Sequence, residues 1–147
     1  MRSLVLLSLM ILFTITSSLA FSIQDENSIL ERAPASIIEI QDSQGNELSQ
    51  VLVDEQVLIV ADVTNALSVH QPFAYIVQIE DDVGVVVSLG WLSGSLSPNQ
   101  MLSPALSWTP NNIGTYQATV FVWEGIDNPS ALSHTLSMDI EVRFSEA

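Results

Sequence analysis

From residue 34 almost to the C-terminus, apolar and polar positions alternate with a period of two, the signature of strands with one buried face. Ile38 and Ile40 alternate with Glu39 and Gln41 in the first run, and Gly45-Asn46 marks the turn after it. In residues 55–65, Val57, Ile59, Ala61 and Val63 share one face. Residues 73–82 place Phe73, Tyr75, Val77 and Ile79 together, and Asp81-Asp82-Val83-Gly84 reads as a hairpin turn into residues 85–91, where Val85, Val87, Leu89 and Trp91 align. Residues 93–104 are rich in Ser, Pro, Gly and Asn, and Pro98 and Pro104 lack backbone donors, so this segment is expected to be a crossing loop. Short strands follow at residues 105–109 and from Tyr116 to Glu124. The last, with Leu136, Met138, Ile140, Val142 and Phe144 on one face, has the cleanest alternation. No helical period appears after residue 33. About seven short strands with turns roughly every ten residues predict an all-β, antiparallel two-sheet sandwich.

The N-terminus has a different pattern. Arg2, the apolar run from Leu4 to Ile15 and the small residues at Ser18 and Ala20 have the layout of a secretory signal peptide, expected to be helical and cut after Ala20. An uncleaved membrane anchor is the alternative, because the run to Phe21 approaches the roughly 20 residues that span a bilayer. The chain thus divides into a signal peptide (1–20), a flexible arm (21–33), a sandwich domain (34–144) and a short tail (145–147). After cleavage no membrane span is expected, and the product is secreted or associated with the cell envelope.

Composition narrows the function. The 147 residues include 17 acidic and 3 basic side chains, a net charge of −14, and no Cys. Nucleic-acid binding needs clustered Lys or Arg, and the only cations are Arg2, Arg32 and Arg143. Without Cys there is no disulfide framework, zinc–thiolate site or thiol nucleophile, so the fold must rest on buried apolar surface.

The stretch Gly114-Thr115-Tyr116-Gln117-Ala118-Thr119-Val120-Phe121-Val122 resembles the sixth strand of an immunoglobulin-like domain, with Tyr116 at the tyrosine corner. The Cys pair of antibody domains is missing, and neither Trp91 nor Trp108 matches the family's tryptophan on the third strand. The likeness is therefore to disulfide-free Ig-like and fibronectin-type modules, and it covers residues 34–144. More locally, Gln71-Pro72-Phe73-Ala74-Tyr75-Ile76-Val77-Gln78-Ile79, Trp108-Thr109-Pro110 and Val122-Trp123-Glu124 resemble Ig-like modules of secreted and cell-surface archaeal proteins, including those of ammonia oxidisers. The resemblance implies an extracellular module and supplies no catalytic residues.

Nothing in the residues points to an enzyme. His70 and His134 flank loops without a motif, and Met138 belongs to the inward face of the last strand, so a copper set combining them with Met101 is disfavoured. No cofactor is expected. If calcium binds, Asp81, Asp82, Glu124 and Asp127 are the expected ligands. The most informative feature is an outward row that ought to be polar. If Val77, Ile79, Val120 and Val122 face the core, then Ala74, Ile76, Val86, Phe121 and Trp123 face out from neighbouring strands, forming a binding surface unless the arm or the 93–104 loop covers it. The expected function is a non-enzymatic adhesion or assembly module, with a protein partner or self-assembly at the cell surface. Strand addition by the N-terminal arm is one route, and a calcium- or glycan-binding module is the alternative.

Overall fold

The computed structural model describes residues 30–145. Nine strands form within them: β1 (Ala35–Gln41), β2 (Val51–Leu52), β3 (Val57–Thr64), β4 (Gln71–Asp81), β5 (Val86–Leu96), β6 (Met101–Leu102), β7 (Ala105–Trp108), β8 (Gly114–Trp123) and β9 (Leu136–Arg143). One sheet runs β1-β3-β6 with β7 also paired to β3, and the other runs β2-β9-β8-β4-β5. The result is the all-β, two-sheet, Ig-like sandwich anticipated from the alternation, with nine strands rather than about seven.

The core lies where the alternating residues of both sheets meet. Val57, Ile59, Ala61 and Val63 on β3 pack with Phe73, Tyr75, Val77 and Ile79 on β4, and with Ala118, Val120, Val122, Ile140 and Val142 from β8 and β9. Each is essentially shielded from water, and together they supply the hydrophobic stabilisation that a Cys-free domain requires. The Tyr116 hydroxyl donates to the Asn112 carbonyl at 3.1 Å, fixing the corner before β8. The Tyr116 ring meets Trp108 edge-on at a centroid distance of 5.1 Å.

The departures from the sequence reading have local causes. Two of the additional strands, β2 and β6, are only two residues long, too short for any periodicity; β2 pairs in parallel with β9 through Val51↔Val142. β5 does not stop at Trp91 but continues through Ser93, Gly94 and Ser95 to the buried Leu96. Small and flexible residues are tolerated there because β5 pairs on one side only, while Pro98 and Pro104 stay outside strands. A bulge where Ile79↔Ser88 is followed by Glu80↔Val86 inserts one residue and reverses the facing of the strand beyond it. Leu89 and Trp91 therefore point outward, and the inner phase holds Ser88, Gly90, Leu92 and Gly94. A Cβ on Gly94 would stand 3.0 Å from the Phe73 ring, so the small residue makes room for a core aromatic.

The predicted signal peptide and most of the arm lie outside the described residues. The last residues of the arm belong to the domain: Ala33 is fully buried and its N–H donates to the Leu132 carbonyl, while Arg32 contacts Glu124 at 3.2 Å and the Ser130 hydroxyl at 2.9 Å.

Ile37 sits at a bulge in β1 with φ of 44°, a region that β-branched residues avoid, and its side chain is 73% exposed. The strain has no compensating burial. Ile37→Gly is expected to raise stability by about 1 kcal/mol in urea-melting experiments; an unchanged or lower midpoint would show that the left-handed conformation carries no penalty here.

Candidate functional site

Register decides which side chains share the outer face of the five-stranded sheet. Ile76 lies opposite Phe121 on one side and Trp91 on the other; Gln78 lies opposite Thr119 and Leu89; Ala74 lies opposite Trp123 and Ser93. Residues directly opposite in an antiparallel pair project to the same side. The outer face of β8-β4-β5 thus gathers Ile76, Leu89, Trp91, Phe121 and Trp123, and Ile126 from the following loop closes one rim. They line a groove of about 440 Å³ in which Gln78 is the sole polar lining residue. Its amide already donates to Glu80 at 3.0 Å. The Phe121 and Trp123 rings are inclined at 55° with centroids 5.9 Å apart, and Trp91 is 55% exposed across the strand.

Of the residues expected on this surface, Ile76, Phe121 and Trp123 come together. Ala74 faces the same way but is fully shielded, so it offers no contact surface. Val86 also faces outward, but it lies beside Glu80 towards the hairpin end and outside the groove. Leu89, Trp91 and Ile126 were not foreseen. The bulge hid the first two, because a strict period of two assigns them to the core. Ile126 lies in an irregular loop with no periodic signal. The 93–104 segment does not cover the groove, since its first part is the outer half of β5 itself.

The acidic residues considered for calcium do not converge. Asp81 lies opposite Tyr116 at the β4–β5 hairpin, whereas Glu124 and Asp127 follow the far end of β8, where Trp123 pairs with Ala74. The two pairs occupy opposite ends of the sheet. Asp81 accepts the Val83 and Val85 N–H groups, forming a turn, and Glu124 holds Arg32. Among the described residues no three His, Asp or Glu side chains gather as a metal-ligand set. His70 and His134 are exposed before β4 and β9, and Met138 packs against the core.

The fold and the groove define an Ig-like sandwich with an apolar outer face, an architecture that hosts many unrelated functions. Residues 28–133 match the S-layer A-like family, and the chain belongs to it. It is accordingly a cell-surface module. No curated protein matches the chain.

Among solved structures, the C-terminal domain of Wzt superposes with a TM-score of 0.59 at 15% identity, covering 79% of this chain and 77% of that one. The CARDB domain of a Pyrococcus furiosus protein in complex with di-metal ions superposes with a TM-score of 0.52 at 19% identity, covering 78% and 97%. A Paenibacillus cycloisomaltooligosaccharide glucanotransferase gives 0.58 at 18% identity, but only 15% of that enzyme is covered. At these identities the likeness concerns the fold.

Proposed function

We propose that the domain is a non-enzymatic assembly or adhesion module that makes protein contacts at the cell surface through the groove lined by Ile76, Leu89, Trp91, Phe121 and Trp123. The observation that carries this reading is the chemistry of that face. The outer face of an antiparallel sheet is ordinarily polar, and here three aromatic rings and two aliphatic side chains surround one amide that is already hydrogen-bonded. Such a lining favours an apolar protein segment over a glycan, whose hydroxyls need several convergent donors and acceptors as well as a ring to stack on. Burying one such side chain on a partner contributes about 1.5–3 kcal/mol.

The test is retention of the purified protein on envelope fragments from its host. Replacing both Phe121 and Trp123 by Ser is expected to weaken retention by about tenfold or more, as removal of two aromatic anchors should. Val86→Ser, on the same face but outside the groove, is expected to leave it unchanged. Equal retention of the double variant and the parent, with both folded by circular dichroism, would overturn the reading.

A further inference from the structure

The four free sheet edges of the sandwich are not alike. β1 carries Glu39 and the bulge at Ile37, and β2 is only two residues long, beside a β9 that bears Asp139, Glu141 and Arg143. These are the usual devices that prevent one sheet edge from pairing with another. On the opposite side β6 and β7 are short strands separated by Pro104, but β5 is long and carries no charge. The sequence contains no charged side chain and no His between Asp82 and Glu124, a span that includes all of β5, β6, β7 and β8. β5 is eleven residues long, free of Pro, and regular from Ser88 to Leu96, with its bulge confined to the hairpin end. Its neighbour on β4 satisfies one side of its backbone, and among the described residues no strand pairs with the other.

We infer that the β5 edge is a self-association site, pairing antiparallel with β5 of a second copy so that two five-stranded sheets join into one. This deepens the assembly reading above and rests on it, by naming the partner and the edge. Two arguments select a second copy. An antiparallel strand is its own complement under two-fold rotation, so one edge supplies both halves of the ladder. Charge supplies the other argument: each chain carries −14, so copies repel except where uncharged surfaces meet, and the β5 side is uncharged. A cationic partner would select the acidic β1, β2 and β9 side instead. Pairing centred on Leu92, the middle of the regular stretch of β5, also sets Trp91 of each copy opposite Ser93 of the other on the outer face, so that the two grooves adjoin across the seam.

The experiment is light scattering of the full chain, expressed for export, over a concentration series at low and high salt, with Ser93→Glu and Ser93→Lys. Ser93 is exposed on β5 and does not line the groove, so both substitutions leave the fold and the groove intact. The parent is expected to form dimers that strengthen with salt. Each variant alone is expected to dimerise about tenfold or more weakly, because pairing centred on Leu92 makes the two introduced like charges diagonal neighbours across the two-fold axis. An equimolar mixture is expected to recover association, a result that misfolding could not produce. Slowed amide exchange along residues 88–96 in the dimer would support the same pairing. A strictly monomeric parent overturns the inference, and so does a dimer that both variants leave unchanged. In the second case, loss of the dimer on deleting residues 21–29 would identify the N-terminal segment as the occupant. Groove-dependent retention on envelope fragments by a monomeric parent would leave the assembly reading standing while this inference falls.

Discussion

Asn65→Ala is expected to lower the stability of the domain by about 3 kcal/mol, a large share of the 5–15 kcal/mol that domains of this kind possess. Asn65 lies at the end of β3 and is completely buried. Its side-chain amide shares its two N–H groups among the carbonyls of Val69, Leu96 and Ser97, at 2.8, 3.2 and 2.9 Å, and its oxygen accepts the Leu67 N–H at 3.0 Å. One residue thereby closes the β3–β4 connection and fastens the end of β5, in the other sheet, to the end of β3. Alanine would remove all of these bonds and leave buried backbone groups unpaired, a cost borne in full because water cannot replace the amide. Urea denaturation should show the loss, with a melting temperature lower by roughly 10 °C. Asn65→Asp should be at least as harmful, since a carboxylate would face carbonyl oxygens. A loss below about 1 kcal/mol for alanine would mean that water or a rearranged loop takes over the amide's role.

The same residue shows where sequence reading stops. An Asn after a strand reads as an ordinary turn residue, and nothing in its neighbours reveals that the carbonyls of Leu96 and Ser97, some thirty residues on, converge on it with that of Val69. The core of β3, β4, β8 and β9 was legible because its signal is local: Val57, Ile59, Ala61 and Val63, or Phe73, Tyr75, Val77 and Ile79, alternate without interruption, and register then follows from burial. The candidate site was legible in half. Ile76, Phe121 and Trp123 belong to strands with uninterrupted alternation, so their outward phase could be inferred. Leu89 and Trp91 lie beyond a bulge, and a single inserted residue inverts every facing that follows it. Their true phase has one trace in the sequence, the glycines at 90 and 94, which suit an inward face crowded by Leu106 and Phe73.

The polar and apolar sides of the molecule also belong to one design. A chain of net charge −14 stays dispersed through self-repulsion, which salt reduces over a Debye length of roughly 10 Å or less. In a module of the cell surface, repulsion that covers one side and spares the other converts a general tendency to stay apart into a preference for one geometry of contact. The groove and the β5 edge share Leu89 and Trp91, so an apolar segment in the groove and a strand added at the edge would be neighbours rather than alternatives.

The second large effect is expected at alkaline pH. The Tyr75 hydroxyl, at the centre of the core, donates to the Ile59 carbonyl at 3.2 Å and so joins the five-stranded sheet to the other. Burial disfavours its phenolate and holds its pKa well above the ordinary value of 10. Below pH 10 the phenol is protonated in both folded and unfolded chains, and its contribution does not vary with pH. Above pH 10 the unfolded chain releases this proton while the folded chain keeps it. The unfolded state then binds fewer protons, and stability falls by up to about 1.4 kcal/mol per pH unit until the folded-state pKa is reached. The window is unusually clear, because the chain has no Lys to titrate there. Tyr75→Phe should cost about 1 kcal/mol at pH 8 through the lost hydrogen bond, and should remove this alkaline slope. Urea melts at intervals from pH 8 to 11.5 should therefore bring the two proteins together and then cross them, with the variant the more stable at the alkaline end. Parallel curves would show that Tyr75 ionises in the folded chain as readily as in the unfolded one, and that water reaches it.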